Sequence, residues 1–175
     1  MCSSDLFLCL RAVAEAENVP ITLFICTKKV EDQSSFQHDL DRDEQTFPAL
    51  SWDQVRFLDR HQVTIGSHTR THLDCGSTDP EVLRGEIAGS LDDLRRELGH
   101  DVAYFSFPKG KPENMSAPAR AIAEHAYPYL FSASGGVNRA PLGPGTVFKR
   151  CDHPDSLLEL ELLLQGVLNR QVSDE

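Results

Sequence analysis

Between Asp5 and Asn18 the apolar residues Leu6, Cys9, Leu10, Val13 and Ala14 recur at three- and four-residue spacing, which gives a helix one apolar stripe. The pattern stops at Val19-Pro20, and Ile21 to Cys26 is a short apolar, β-branched run suited to a strand buried on both faces. From Lys28 to Phe47 the chain is polar and carries Asp39, Asp41, Asp43 and Glu44. That segment predicts a long surface excursion, and without a turn glycine or EF-hand spacing it is not a calcium loop. Ser51, placed to cap a helix, precedes Trp52, Val55 and Leu58 at helical spacing and predicts a helix over Trp52 to His61. Val63 to Gly66 then reads as a strand.

A longer helix is predicted over Thr78 to Leu98. Asp79 and Pro80 open it, Val82, Ile87, Leu91 and Leu94 form its inner face, and Gly99 stops it. Val102 to Phe107 alternates as a strand that runs into Pro108-Lys109-Gly110, followed by a helix over Ser116 to His125 and a strand over Tyr129 to Ser132. The turn-rich stretch from Gly135 to Gly145 leads to a strand at Thr146 to Lys149, and a helix from Pro154 to about Leu168 follows. Alternating strands and helices predict an α/β fold with a parallel sheet and helices outside it.

The chain has 175 residues, 40% of them hydrophobic and 25% charged, enough to bury the core of one domain. A formal net charge of -10 with no basic run sets up a field that repels a phosphate backbone, so nucleic acid is excluded as a partner. The longest apolar runs, Ile21 to Cys26 and Leu157 to Leu164, are interrupted or too short to cross a bilayer. Cys2, Cys9, Cys26, Cys75 and Cys151 include no CxxC pair and are expected as reduced thiols. No signal peptide is visible; a cytoplasmic and a cell-envelope or secreted location both stay open.

The segment richest in chemistry is Ile65-Gly66-Ser67-His68-Thr69-Arg70-Thr71-His72, directly after a predicted strand. Two histidines four apart would share one face of a helical turn, close enough to offer nitrogens to one metal ion, with at least one further ligand needed. An HxxxH pair alone is more readily two surface or capping histidines than a ligand pair, and it is the surrounding sequence that reverses that order.

That surrounding sequence resembles the polysaccharide deacetylase family, the NodB-homology or carbohydrate esterase family 4 group. His68-Thr69-Arg70-Thr71-His72 matches its second motif, a histidine, a serine or threonine, two free positions and a histidine. Val19-Pro20-Ile21-Thr22-Leu23-Phe24 is similar to the segment between its first and second motifs, and Leu50-Ser51-Trp52 to the helix before the histidines. Phe105-Ser106-Phe107-Pro108-Lys109-Gly110 falls where the third, aromatic- and proline-rich motif belongs.

The resemblance implies a distorted barrel of parallel strands and helices, with a divalent metal, commonly zinc, held by two histidines and an aspartate. The implied reaction is hydrolysis of N- or O-acetyl groups on a polysaccharide or related amidated sugar. His68 and His72 would be the metal ligands, the backbone N–H of Lys109 an oxyanion contact, and Pro108 and Gly110 substrate contacts. The metal would polarise the acetyl carbonyl and activate water, with an aspartate as base. The family's Thr-Phe-Asp-Asp-Gly motif, which supplies that base and the third ligand, has no match in the chain, so the barrel is expected to lack its first strand. Ser106 stands where many relatives carry an arginine that orients the base, and Arg150 resembles a position in the branch with a shorter third motif, although an arginine near a helix start is commonly just solvated or paired. The family's late histidine has no clear counterpart; His153 is the nearest candidate and is more readily a surface residue.

Met1-Cys2-Ser3-Ser4-Asp5-Leu6 can be encoded, from a GTG start, by the end of a widely used sequencing adapter. The expectation is therefore that residues 1–6 are not native, that 7–170 form a partial NodB-like domain with 171–175 as a tail, and that the fragment as it stands is inactive. Two other readings are a non-catalytic glycan-binding homologue and a hydrolase of small amides on the same fold.

Overall fold

The computed structural model describes residues 3–17, 19–36, 48–150 and 156–165. Helix α1 (Ser3–Glu17) leads into strand β1 (Ile21–Ile25) and the short helix α2 (Thr27–Asp32). Then come α3 (Trp52–Arg60), β2 (Val63–Ser67), the long helix α4 (Pro80–Leu98) and β3 (Tyr104–Ser106). Helix α5 (Ala117–Ala126), β4 (Tyr129–Ser132), β5 (Val147–Lys149) and α6 (Leu157–Leu164) complete the described elements. The strands form one five-stranded sheet in sequence order, β1-β2-β3-β4-β5, and every pairing is parallel. Each strand therefore lies beside its predecessor, joined by a crossover of the kind parallel pairing requires.

Caps fix where the helices start. The Ser51 hydroxyl accepts from the Gln54 N–H while the Gln54 side chain returns to the Ser51 N–H, a reciprocal capping box at the head of α3. Asp79 accepts from the N–H groups of Glu81 and Val82 at the head of α4, and Gly99 closes that helix at φ 77°, a left-handed position glycine takes without steric cost.

Two expectations are corrected. The excursion predicted from Lys28 is helical at its start, because α2 occupies Thr27–Asp32; Asp39, Asp41, Asp43 and Glu44 lie outside the described residues. The inner face of α4 is set by Leu83 rather than Val82: Leu83 is fully buried and Val82 is 45% exposed. Leu83, Ile87, Ser90, Leu91 and Leu94 are buried together and share one face at 3.6 residues per turn, whereas Val82 lies five positions before Ile87 and so points elsewhere.

The core fills the space between sheet and helices. Val63 and Ile65 of β2 join Val55 and Leu58 of α3, Leu83, Ile87 and Leu94 of α4, and Ala119 and Ala123 of α5, all buried. Trp52 packs at the margin of this core and donates its indole N–H to Glu31 at 2.8 Å. The opposite sheet face carries an aromatic row in which Phe24 meets Phe131 at 5.2 Å between ring centroids, Phe131 meets Phe148 at 5.3 Å, and Tyr104 stacks on Tyr129 at 5.3 Å. Gly66 makes room for that row: a Cβ there would lie 2.5 Å from Phe24 Cδ1.

Candidate functional site

All the sequence-predicted site residues follow the carboxyl ends of parallel strands, where α/β folds collect their chemistry. His68 follows β2, the Pro108-Lys109-Gly110 turn follows β3, and Arg150 follows β5. His68 and His72 come together with ring centroids 5.0 Å apart. They do so on a loop, which corrects the expected helical turn: Thr69 has φ 67° and His72 φ 70°, left-handed values that interrupt a right-handed helix. The Thr69 hydroxyl accepts from the His72 N–H at 3.0 Å and closes the loop. The loop's start is tied to β1, with the His68 N–H donating to Ile25 O at 2.8 Å and the Cys26 thiol to His68 O at 3.0 Å. Burial pushes the Cys26 thiol up to about 12, so this sulfur acts as a neutral donor rather than a thiolate ligand.

The His68 ring is oriented from behind. Its Nδ1 lies 2.7 Å from the Ser106 carbonyl oxygen, a bond that requires the proton on Nδ1 and leaves the lone pair on Nε2. Burial holds the His68 pKa down to about 4, opposed by the Ser106 bond and reinforced by the electrostatic influence of His72 and Arg150. The ring is therefore neutral near pH 7. His72 packs edge-on against Phe36 at 5.5 Å.

Arg150, whose position resembles one in the shorter-motif branch although an arginine there is commonly just solvated or paired, reaches into the site. Its Nη2 donates to Ser106 Oγ at 2.7 Å, its Nε to Ser132 O at 3.2 Å, and the guanidinium lies over the Phe24 ring at 5.3 Å. A guanidinium is thus present beside residue 106 although residue 106 is a serine. The resemblance to the shorter-motif branch was the signal that could have found it. His153 lies outside the described residues.

The turn after β3 is held to both neighbours. Gly110 N–H donates to Pro108 O at 2.7 Å, and Gly110 O accepts from Ala133 N–H at 2.9 Å. Gly110 has φ 63° and a Cβ there would lie 2.5 Å from Ala133 N, so this position needs glycine. Lys109, at φ 60°, sends its ammonium to Asp74 at 3.0 Å, and Asp74 also accepts from Asn114 at 2.8 Å and from the Gly76 N–H at 2.9 Å. Those bonds, the Gly76 N–H first, hold the Asp74 carboxyl down to about 2. Asp74 therefore links the turn bearing Lys109 to the chain two residues after His72. A cleft of about 260 Å³ bounded by Asp59, Thr64, His100 and Tyr104 lies at the opposite, amino-terminal ends of β2 and β3 and does not contain this chemistry.

The donor set fits two positions of a divalent metal site: a neutral imidazole with a fixed tautomer and a second imidazole beside it. Among the described residues no group of three or more His, Cys, Asp or Glu could hold a metal ion. Cys9, Cys26 and Cys75 are free thiols, and no described helix is long and apolar enough to cross a membrane.

With this arrangement in view, comparison with known proteins identifies the class. The polysaccharide deacetylase family model matches residues 10–129, more than half of the chain, and the chain belongs to that family. No curated protein sequence matches it. Among solved structures it is similar to the deacetylase PplD of Streptococcus pyogenes in complex with acetate, at 19% identity and TM-score 0.74 over 94% of this chain and 66% of that one. It is also similar to IcaB from Ammonifex degensii (18%, TM-score 0.66, 90% of this chain and 66% of that one). A de-N-acetylase from Aggregatibacter actinomycetemcomitans matches at 15% identity and TM-score 0.70, over 91% of this chain and 71% of that one. These likenesses establish the NodB-like parallel α/β fold, and the chain spans just under two thirds of the first two solved relatives.

Proposed function

We propose that this chain contributes the histidine half of a metal-dependent deacetylase site that removes N- or O-acetyl groups from a polysaccharide or a related amidated sugar. The observation that carries the reading is the pair of adjacent imidazoles, one of them fixed through Nδ1 on the Ser106 carbonyl at 2.7 Å. His68 and His72 would hold the ion, with zinc the commonest in the family. When bound, the ion polarises the acetyl carbonyl and lowers the pKa of water.

The chain's own residues then do the positioning. Ser106 sets the His68 tautomer. The backbone N–H of Lys109 supplies a donor for the developing oxyanion, with the ammonium of the same residue anchored on Asp74, and Pro108 and Gly110 shape the turn against which the acetyl group rests. Arg150 offers a guanidinium next to Ser106, suited to orienting a carboxylate base. The base and third ligand are the aspartates of the family's first motif, and without them we infer that the fragment is inactive. Residues 1–6 are read as non-native, 7–170 as a partial catalytic domain and 171–175 as a tail.

The test is to resequence the native locus upstream of the codon for Phe7 and to assay the protein it encodes for acetate release. An in-frame strand ending in an Asp-Asp pair, with activity lost in His68→Ala, supports the reading. A genomic stop codon directly before Met1, or an Asp-Asp protein that releases no acetate from any acetylated glycan, overturns it and favours a non-catalytic glycan-binding role.

A further inference from the structure

We propose that Glu86, in the middle of α4, is a positioning residue that holds His68 and His72 in ligating geometry without touching the ion; this rests on the metal reading above. The loop between the histidines has an unfavourable backbone. Thr69 and His72 both have positive φ, a conformation that side chains with a Cβ resist and that persists only when the surroundings impose it.

Those surroundings come from two sides. From α2, the N–H groups of Thr27 and Lys28 donate to the carbonyls of Thr69 and Arg70 at 3.2 and 2.9 Å. From α4, the Glu86 carboxylate accepts the Arg70 N–H at 3.0 Å, the Thr71 N–H at 2.9 Å and the Thr71 hydroxyl at 2.9 Å. One carboxylate thus satisfies two backbone donors that the loop leaves without a partner in any helix or sheet. With both of its oxygens engaged by these donors, Glu86 is better placed to brace the loop than to ligate.

A second arm runs through Arg70. Its guanidinium forks onto Asp93 at 2.8 and 2.9 Å, and to get there it crosses Gly89, where a Cβ would lie 2.8 Å from Arg70 Cζ. Positions 86, 89 and 93 follow one face of α4: an acceptor for the loop backbone, a gap for a side chain, and an acceptor for its end. That row runs beside the buried face formed by Leu83, Ile87, Leu91 and Leu94.

The experiment titrates the full chain with zinc alone and follows the His68 and His72 ring signals by NMR, in wild type, Glu86→Ala, Glu86→Gln and Gly89→Ala, each first checked for cooperative unfolding. Outer groups that orient ligating histidines change metal affinity by about 10–100-fold, so Glu86→Ala should weaken zinc binding about tenfold or more. Glu86→Gln, whose amide oxygen can accept both N–H groups while its NH₂ donates to the Thr71 hydroxyl, should stay within about threefold of wild type. Gly89→Ala favours the helix itself while displacing Arg70, so it should fold and bind zinc about threefold more weakly. Wild-type ring signals that ignore zinc overturn the metal reading and this proposal with it. Wild-type binding that a folded Glu86→Ala matches overturns the brace alone, and if Glu86→Ala does not fold, unchanged affinity in Gly89→Ala does the same.

Discussion

Thr27 and Asp93 allow a quantitative test of how the histidine loop is anchored. The Thr27 hydroxyl, 1% exposed, donates to Asp93 Oδ2 at 2.8 Å, its one hydrogen bond among the described residues. Asp93 is shared: it also takes the Arg70 fork and Arg96 at 3.2 Å. Thr27→Val removes one bond to a charged acceptor, worth about 1.5 kcal/mol, and leaves Asp93 paired. Asp93→Ala strands the buried hydroxyl, about 1.5 kcal/mol, and loses the Arg70 pair, which is held to about 1 kcal/mol because the Arg70 side chain is 39% exposed. The single changes thus cost about 1.5 and 2.5 kcal/mol, yet the double variant should cost about 2.5 rather than 4, because the valine side chain leaves no hydroxyl to strand.

Urea denaturation of the four proteins at pH 7 gives the cycle, and each kcal/mol should move Tm by about 2–4 °C. Additive costs, within about 0.5 kcal/mol, would refute the argument that Asp93 is what satisfies Thr27. The pH dependence adds a check. Burial, the largest influence, raises the Asp93 pKa, but the hydrogen bonds from Arg70 and Thr27, with the Arg70 charge and Arg96, together hold it below the ordinary carboxylate value. The stabilisation is then complete above about pH 4 and lost as pH falls through the depressed folded value, so wild type and Asp93→Asn should converge in strong acid.

The pair of His100 and Asp59, 2.8 Å apart, should titrate in the opposite sense. The Asp59 hydrogen bond raises the His100 pKa above 6.5, so its contribution is full below that value and lost as pH rises through the folded one. With His100 half exposed the effect stays under about 1 kcal/mol, and Asp59→Asn should abolish the difference in thermal stability between pH 5.5 and pH 8.5 that it causes. In α4, Leu83→Ala should cost about 2–5 kcal/mol by urea denaturation and Val82→Ala less than about 0.5 kcal/mol; similar costs would contradict the observed facing of the helix.

Much of the fold was legible because local and global preferences agree. The Tyr129–Ser132 strand and the caps at Ser51, Asp79 and Gly99 were all readable from residue type and spacing. Helix α2 was not, since six residues offer no full apolar period and its first turn is held by Thr69, Arg70 and Asp93, all distant in sequence. Val82 misled because two adjacent valine and leucine residues offer two phases for one stripe, and only packing decides between them. At the site, the pairing of His68 with His72 was legible and its geometry was not. Positive φ at Thr69 and His72 contradicts their intrinsic preference, and contacts far along the chain impose it. Arg150 was marked by the resemblance, but its partner was not, since Ser106 lies 44 positions away.

Arg150 also acts as a gauge of strand alignment. Strand β5 has only three residues, registered so that Ser132 pairs with Lys149, and Arg150 is the next residue. A slip that kept side chains on their proper faces would move β5 by two residues, roughly 6–7 Å, and the guanidinium would lose the Ser106 hydroxyl. The contact therefore exists in one alignment only and rewards it, giving a very short strand a marker that its few ladder bonds do not supply. An arginine that reaches into the candidate site is in this way also part of how the chain finds its fold, and replacing it would loosen the placement of β5.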